Sequence, residues 1–449
     1  MVKQKFIMLT KISGRTILIV FLLLIINNTV KAQVWSLNQC IDTAQVYNKN
    51  LQIGRNNIVL SEQKQKEAKA NLIPKVNMAA DYKYFIDLPY QLMPQSAFGG
   101  PEGLFKETQF GVPHNIGVNI QVAMPLYNSQ VYGAIQTTKI VSEISELQYK
   151  KTEEQIFFEI SNLYYNVQIL QHQLAFIDSN LVNTTKLLGN MELMHEQLMV
   201  KGSDVSKVQL QKDQLSTQSQ LVKSNFEQVL NALRFSMGIP INLNIQVERD
   251  IEYQISTAYS NMPTVDILLS SAHKRLLSSE LNTLKNSRLP SVSLYGNYGQ
   301  TGFGYDEKPN DFLKFFPTSF GGIQISQTLF NGTVTKRRIN QKQIEIQNSE
   351  LQINLVTEQN SMLIENAKSR RLVTQQTIKN TSGQIELSLK VYEQMILQQK
   401  EGIANLTDVL MADNVVREAQ QNYLTAIIDY LKADLELKKL TGNIISLKN

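Results

Sequence analysis

The chain has 449 residues, with 44 Lys and Arg, 39 Asp and Glu, four His and a single Cys, which excludes an intrachain disulfide framework. Its formal charge of +5 resides entirely in residues 1–32, which hold five basic and no acidic residues, so the remaining 39 basic residues balance 39 acidic ones. That balance, with no basic patch interleaved with aromatics, gives no ground for a nucleic-acid partner.

Residues 1–32 read as a secretory signal peptide. Lys3, Lys5, Lys11 and Arg15 form a basic start, Ile17 to Ile26 is an unbroken apolar run, and Val30-Lys31-Ala32 offers a small-residue cleavage site before Gln33. The apolar run falls well short of the ~20 residues that a membrane-spanning helix needs. Cys40 follows Gln39 rather than the small residue that precedes a lipid-modified cysteine, and is expected to be a buried small hydrophobe. Beyond it no apolar run approaches transmembrane length, so membrane insertion of the mature chain requires a β-barrel.

Two halves share one grammar. Leu72-Ile73-Pro74-Lys75-Val76 is echoed by Arg288-Leu289-Pro290-Ser291-Val292, and Ile120-Gln121-Val122 with Leu126-Tyr127-Asn128 by Ile323-Gln324-Ile325 with Leu329-Phe330-Asn331. Lys201-Gly202 pairs with Glu401-Gly402, and Met237-Gly238 with Thr441-Gly442, in the same order. Such a tandem repeat predicts domains at 33–240 and 263–449 joined by a linker segment at 241–262.

Each copy reads as helix, strand, long loop, strand, very long helix, helix. Val76, Met78, Ala80, Tyr82 and Tyr84 alternate with Asn77, Ala79, Asp81 and Lys83, and Ile116 to Met124 alternates in the same way. Copy two alternates over shorter stretches, at 291–294 and 323–326. Residues 85–114 and 299–320, rich in Gly, Pro and aromatics, are expected as irregular loops at one end of each hairpin, the pattern of a transmembrane barrel with aromatic girdles.

The helical signal is the louder one. Ile156, Ile160, Leu163, Val167, Leu170, Leu174, Ile177 and Leu181 are spaced 4 and 3 alternately, and the spacing continues through Thr184, Leu188, Met191, His195 and Leu198. A helix over about residues 130–200 would be ~105 Å long at 1.5 Å per residue, and must pack along neighbours as a coiled coil. Gln, Asn and Ser crowd Gln209 to Asn225 and Gln341 to Asn360, as suits a helical wall with water on both sides.

Catalysis finds no support. His114, His172, His195 and His273 stand far apart without ligand spacing, and no phosphate loop or nucleophile elbow occurs. No cofactor or metal is expected. A purely periplasmic coiled-coil adaptor or scaffold is the alternative, but it leaves the two matched alternating hairpins unexplained.

These features together resemble the TolC-like outer-membrane efflux family. The opening Trp35-Ser36-Leu37-Asn38-Gln39-Cys40-Ile41, the proline-headed strands at Pro74 and Pro290, and the junctions Pro125-Leu126-Tyr127-Asn128 and Leu329-Phe330-Asn331-Gly332 resemble the family's. So do the helix-turn tips at Lys201-Gly202 and Glu401-Gly402. The resemblance implies a mainly α protein with membrane β: a homotrimer pooling four strands per subunit into one outer-membrane barrel of ~12 strands, with a coiled-coil helical tube in the periplasm. It also implies a periplasmic adaptor (membrane fusion) protein, an inner-membrane pump and outer-membrane lipid as partners, in tripartite efflux of drugs or metals or in type I secretion of proteins. At residue level it implies adaptor docking at Gly202, Ser203, Gly402 and Leu406. It places Asp408 and Met411 at a periplasmic aperture, where three copies of Asp408 would form a carboxylate ring. Met411 stands where the family often carries an acid and Asp413 falls off-register, so a double acidic ring is not expected.

Overall fold

The computed structural model describes residues 34–109, 111–251, 259–305 and 314–444; the signal peptide expected at 1–32 lies outside them. In chain order the elements are β1 (Val34–Trp35), α1 (Leu37–Tyr47), α2 (Lys49–Ala70), β2 (Lys75–Tyr84), β3 (Tyr90–Pro94), β4 (Phe105–Gln109) and β5 (His114–Tyr127). Then follow α3 (Ser129–Glu196), α4 (Gly202–Met237), β6 (Gln246–Val247), α5 (Val265–Asn286), β7 (Ser291–Gly304), β8 (Lys314–Ser326), α6 (Val334–Lys400) and α7 (Leu406–Leu440). The duplicated order is visible here: α2, β2, β5, α3 and α4 recur as α5, β7, β8, α6 and α7. The compact units cut across the repeats, one built from residues up to 52, 152–264 and 361 onward, the other from 53–151 and 265–360.

The second unit carries a four-stranded sheet in the order β2-β5-β7-β8, antiparallel throughout. The cross-strand register puts all the apolar alternates on one face. Val76 and Met78 pair with Val122 and Ile120, Ile120 with Tyr298, and Leu294 and Val292 with Ile323 and Ile325. These side chains are bare: Met78 is 70% and Ile325 69% exposed. The opposite face carries Asn77, Asp81 and Lys83, paired with Gln121, Gly117 and Asn115. Below the sheet α3 and α5 approach so closely that a Cβ on Gly133 would lie 2.2 Å from the Thr283 hydroxyl oxygen, a position only glycine fills. Further along the same two helices Leu147, Val265, Leu269 and Ala272 form a buried cluster.

Copy two is more ordered than its sequence promises. β7 runs on to Gly304 and β8 starts at Lys314, so much of the loop expected at 299–320 is strand. Glycine lowers strand propensity, but here aromatic rings cover the glycines: a Cβ on Gly302 would meet the Phe315 ring at 2.7 Å, and one on Gly322 the Tyr295 hydroxyl at 3.0 Å. The loop expected at 85–114 likewise contains the hairpin β3/β4, with Tyr90 opposite Gln109 and Pro94 opposite Phe105.

In the first unit the heptad seam of α3 is buried as expected at Ile156, Ile160, Val167, Ile177, Leu188 and Met191. Ile177 packs with Leu215 and Val222 of α4, flanked by Leu170, Leu174 and Leu181. The seam stops there. His195 and Leu198 are exposed, Leu198 by 91%, because the helix ends at Glu196 and its last apolar positions have no partner helix to face.

The one helix expected ahead of the first strand is two helices. Asn48 divides them: it is buried, its backbone is extended, and its amide donates to the Ser236 carbonyl at 2.7 Å. Its Oδ1 accepts from the N–H groups of Asn50 and Leu51, capping α2 as α1 ends. Cys40 is fully buried in α1, and burial, followed by the nearby Glu248 carboxylate, pushes its thiol up to about 12. It is therefore the buried small hydrophobe expected.

The linker expected at 241–262 forms two ties. Trp35 pairs with Val247 in a parallel bridge, and Gln168 donates to the carbonyls of Glu248 and Asp250, both at 2.9 Å. After residues 252–258, which lie outside the described set, Met262 N–H donates to Thr441 O and the Tyr259 hydroxyl donates to Asp434 at 2.7 Å. Asp434 is buried and also receives Arg371 Nε at 2.6 Å and Lys438 Nζ at 3.1 Å. Burial, and then the bond to Asp434, push the Tyr259 hydroxyl above its ordinary range.

Candidate functional site

The residues singled out by sequence lie at two helix reversals of the first unit, 197–201 between α3 and α4 and 401–405 between α6 and α7. An α-helix ends with four carbonyls lacking partners, and both reversals satisfy them in the same way. Leu198 N–H donates to His195 O and Met199 N–H to Met194 O, each at 2.9 Å. Exactly 204 residues later in numbering, Gly402 N–H donates to Gln399 O at 3.1 Å and Ile403 N–H to Gln398 O at 2.9 Å. The left-handed residues are Leu198, φ 60°, and Gly402, φ 71°.

This register corrects the pairing of Gly202 with Gly402. Gly202 is the first residue of α4 and has no left-handed backbone; a Cβ there would meet the His195 ring at an ordinary 3.5 Å. Its structural counterpart is Leu406, the first residue of α7. The same offset relates the far ends of the hairpins, where Gly238 and Gly442, φ 75° and 72°, close α4 and α7. Met237-Gly238 and Thr441-Gly442 are thus equivalent, as the sequence repeat implies.

The four docking candidates occupy different settings. Gly402 and Ser203 are exposed and Gly202 is half-buried. Leu406 is buried at 7% in a cluster with Leu188, Met191 and Val208, so it joins the start of α7 to α3 and α4. Around these lie the bare apolar side chains Leu193, Leu198, Met199 and Ile403, of which the heptad spacing singles out Leu198 alone.

Asp408 is half-buried and engaged locally. Asn405 Oδ1 accepts from the Asp408 N–H at 3.1 Å, and Asp408 Oδ2 accepts from the Asn405 N–H at 2.9 Å, a reciprocal capping box at the start of α7. The pattern Asn405-Leu406-Thr407-Asp408 carries this signal in the sequence. Met411 is 58% exposed one turn on. Asp413 accepts from Gln211 Nε2 at 2.6 Å and pairs with Arg417, tying α7 to α4. Burial lowers the Arg417 guanidinium below its usual range. Among the described residues no group of His, Cys, Asp and Glu is placed to hold a metal ion.

The geometry of two duplicated helical hairpins and a four-stranded sheet has close parallels. The family model described as outer membrane efflux protein matches residues 266–443, which hold most of the second repeat. Outer membrane protein TolC of Salmonella enteritidis is 18% identical over 445 residues, covering 92% of this chain and 83% of that protein. The fold is TolC-like. Its fold is shared with VceC of Vibrio cholerae, an outer membrane protein, at a TM-score of 0.72 and 15% identity over 90% of this chain and 96% of that one. The CmeC outer membrane channel of Campylobacter jejuni gives 0.71 and 14% over 91% and 85%. At such identity these likenesses establish the TolC-like fold, while each side chain's role rests on its own surroundings.

Proposed function

We propose that this TolC-like chain is the outer-membrane channel subunit of an export assembly, a passive exit duct fed by an inner-membrane pump through a periplasmic adaptor. The observation that carries the reading is the sheet, with an exposed apolar face, a polar opposite face and open edges at β2 and β8. Open edges are not tolerated in lipid, and four strands are too few to close. Three copies joined edge to edge give a closed barrel of ~12 strands, apolar to lipid and polar to the lumen.

The helical hairpins form the periplasmic part of the duct. The adaptor docks at the reversals, on the exposed backbone of Gly402 and Ser203 and the bare side chains of Leu198, Met199 and Ile403. Gly202 and Leu406 support that surface from the starts of their helices. Asp408 and Met411 stand beside the aperture. Drug efflux, metal efflux and type I protein secretion would use the same duct, and the pump would decide among them.

The test is the native mass of the protein extracted by detergent from the outer-membrane fraction, followed by planar-bilayer recording. A trimer that conducts supports the reading. A monomer or dimer recovered from the soluble periplasmic fraction overturns it in favour of a coiled-coil scaffold.

A further inference from the structure

The polar face of the sheet changes character from one hairpin to the next. Following the register across the strands, Asn77 pairs with Gln121, Gln121 with Asn297 and Asn297 with Phe320. The next row on that face runs Ala79, Asn119, Gly299, Thr318, then come Asp81, Gly117, Thr301, Phe316 and Lys83, Asn115, Phe303, Lys314. The first hairpin thus offers amides and charges, while the second presents aromatic rings on the same face. Tyr295 meets Phe320 edge-on at 6.3 Å, and Phe303 lies 5.9 Å from Phe316. The rings remain open, with Phe316 at 47% and Phe320 at 55% exposure. Lys314 Nζ sits 5.8 Å above the Phe316 ring, whereas Lys83 is engaged by Asp81 at 3.2 Å.

Exposed rings on a water-facing surface are costly unless something covers them, and bare apolar patches mark sites of interaction. The apolar, lipid-directed face is the other one, so lipid does not cover these rings. Their π faces suit a flat aromatic partner, and the Lys314 cation complements a negative charge at its edge. We propose that the β7–β8 hairpin forms an aromatic contact site on the lumen wall for planar aromatic anions in transit. The site deepens the channel reading and rests on it.

Planar-bilayer recording with the whole detergent-purified protein tests it, using naphthalene-2-sulfonate as the blocker, added to each side in turn. Cyclohexanesulfonate is the control, with the same charge but no π face. The expected result is block by the naphthalene probe at lower concentration than the control. The double variant Phe316→Leu/Phe320→Leu keeps apolar volume and strand register, and should raise the half-blocking concentration about 10-fold, the loss of two aromatic contacts. Lys314→Gln should weaken block by both probes alike. Equal block by the two sulfonates, or no change in the Leu variant, overturns the site while leaving the channel intact. Loss of the trimer in the Leu variant overturns it too, by showing that the rings are subunit contacts. A wild-type protein that does not conduct removes the channel reading and this site with it.

Discussion

The two helix reversals have one backbone and two chemistries. At 401–405 the left-handed position is Gly402 and the next helix starts on the reciprocal Asn405–Asp408 box. At 197–201 the left-handed position is Leu198, and Lys201 begins α4 without a side-chain cap. An L side chain in that conformation costs about 1–2 kcal/mol. The first reversal is therefore held by packing: Val200 and Val205 flank Leu188, Met191 and Val208, and His195 Nδ1 bonds the Val200 carbonyl at 2.9 Å. Geometry here is set by the needs of helix ends, while residue identity decides how firmly each end is closed. The reversal under strain also presents Leu198, the most exposed leucine among the described residues.

Exchanging the left-handed residues is the strongest way to break the comparison. Gly402→Leu should lower the opening free energy of 397–405 by about 1–2 kcal/mol, seen as faster amide hydrogen exchange in that peptide. Leu198→Gly should slow exchange over 193–201, by somewhat less, because glycine also loosens the open state. A faster exchange there would show that the Leu198 side chain stabilises its turn by contact, and the strain account would fall. Gly202→Ala, by contrast, should leave exchange unchanged or slower, since its backbone is helical.

The helix starts sharpen the comparison at a smaller scale. Asn405→Ala should cost about 1 kcal/mol of local stability at the start of α7. Lys201→Asn should gain a few tenths to about 1 kcal/mol at the start of α4, by supplying the missing acceptor. Equal responses at both ends would mean that tertiary packing, not capping, governs both.

Much of this was legible in the chain. The seam from Ile156 to Met191 could be read because burial follows spacing, and the pairing of β2 with β5 because Val76 to Tyr84 alternates cleanly. The reversals were harder. Glycine at 202 suggests the turn, yet the left-handed residue is Leu198, since a helix ends where its packing partners end and then takes whichever residue stands there. The outer parts of β7 and β8 looked like loop because Tyr295 to Gly304 is rich in glycine. The Phe315 ring lies against Gly302 and the Tyr295 ring against Gly322, and such covering depends on residues 13 and 27 positions away. The Asn405–Asp408 box follows from the spacing of an Asn and an Asp three residues apart at the head of α7.

Asp408 is where the two roles can be separated with the smallest perturbation. Asp408→Ala removes both the charge and the acceptor for the Asn405 N–H, so any change in conductance would be ambiguous. Asp408→Asn removes only the charge, because its amide oxygen can still accept that bond. Exchange over 397–410 should therefore shift by less than about 0.5 kcal/mol, within the range of a surface substitution. If three copies line an aperture, the same variant should lose cation preference and block by multivalent cations, because a carboxylate ring selects cations by its field. If conductance, selectivity and block are all unchanged while Asp408→Ala loosens the tip, the carboxylate serves the helix start alone. The second reversal would then owe its firmness to a residue that plays no part in what passes through the duct.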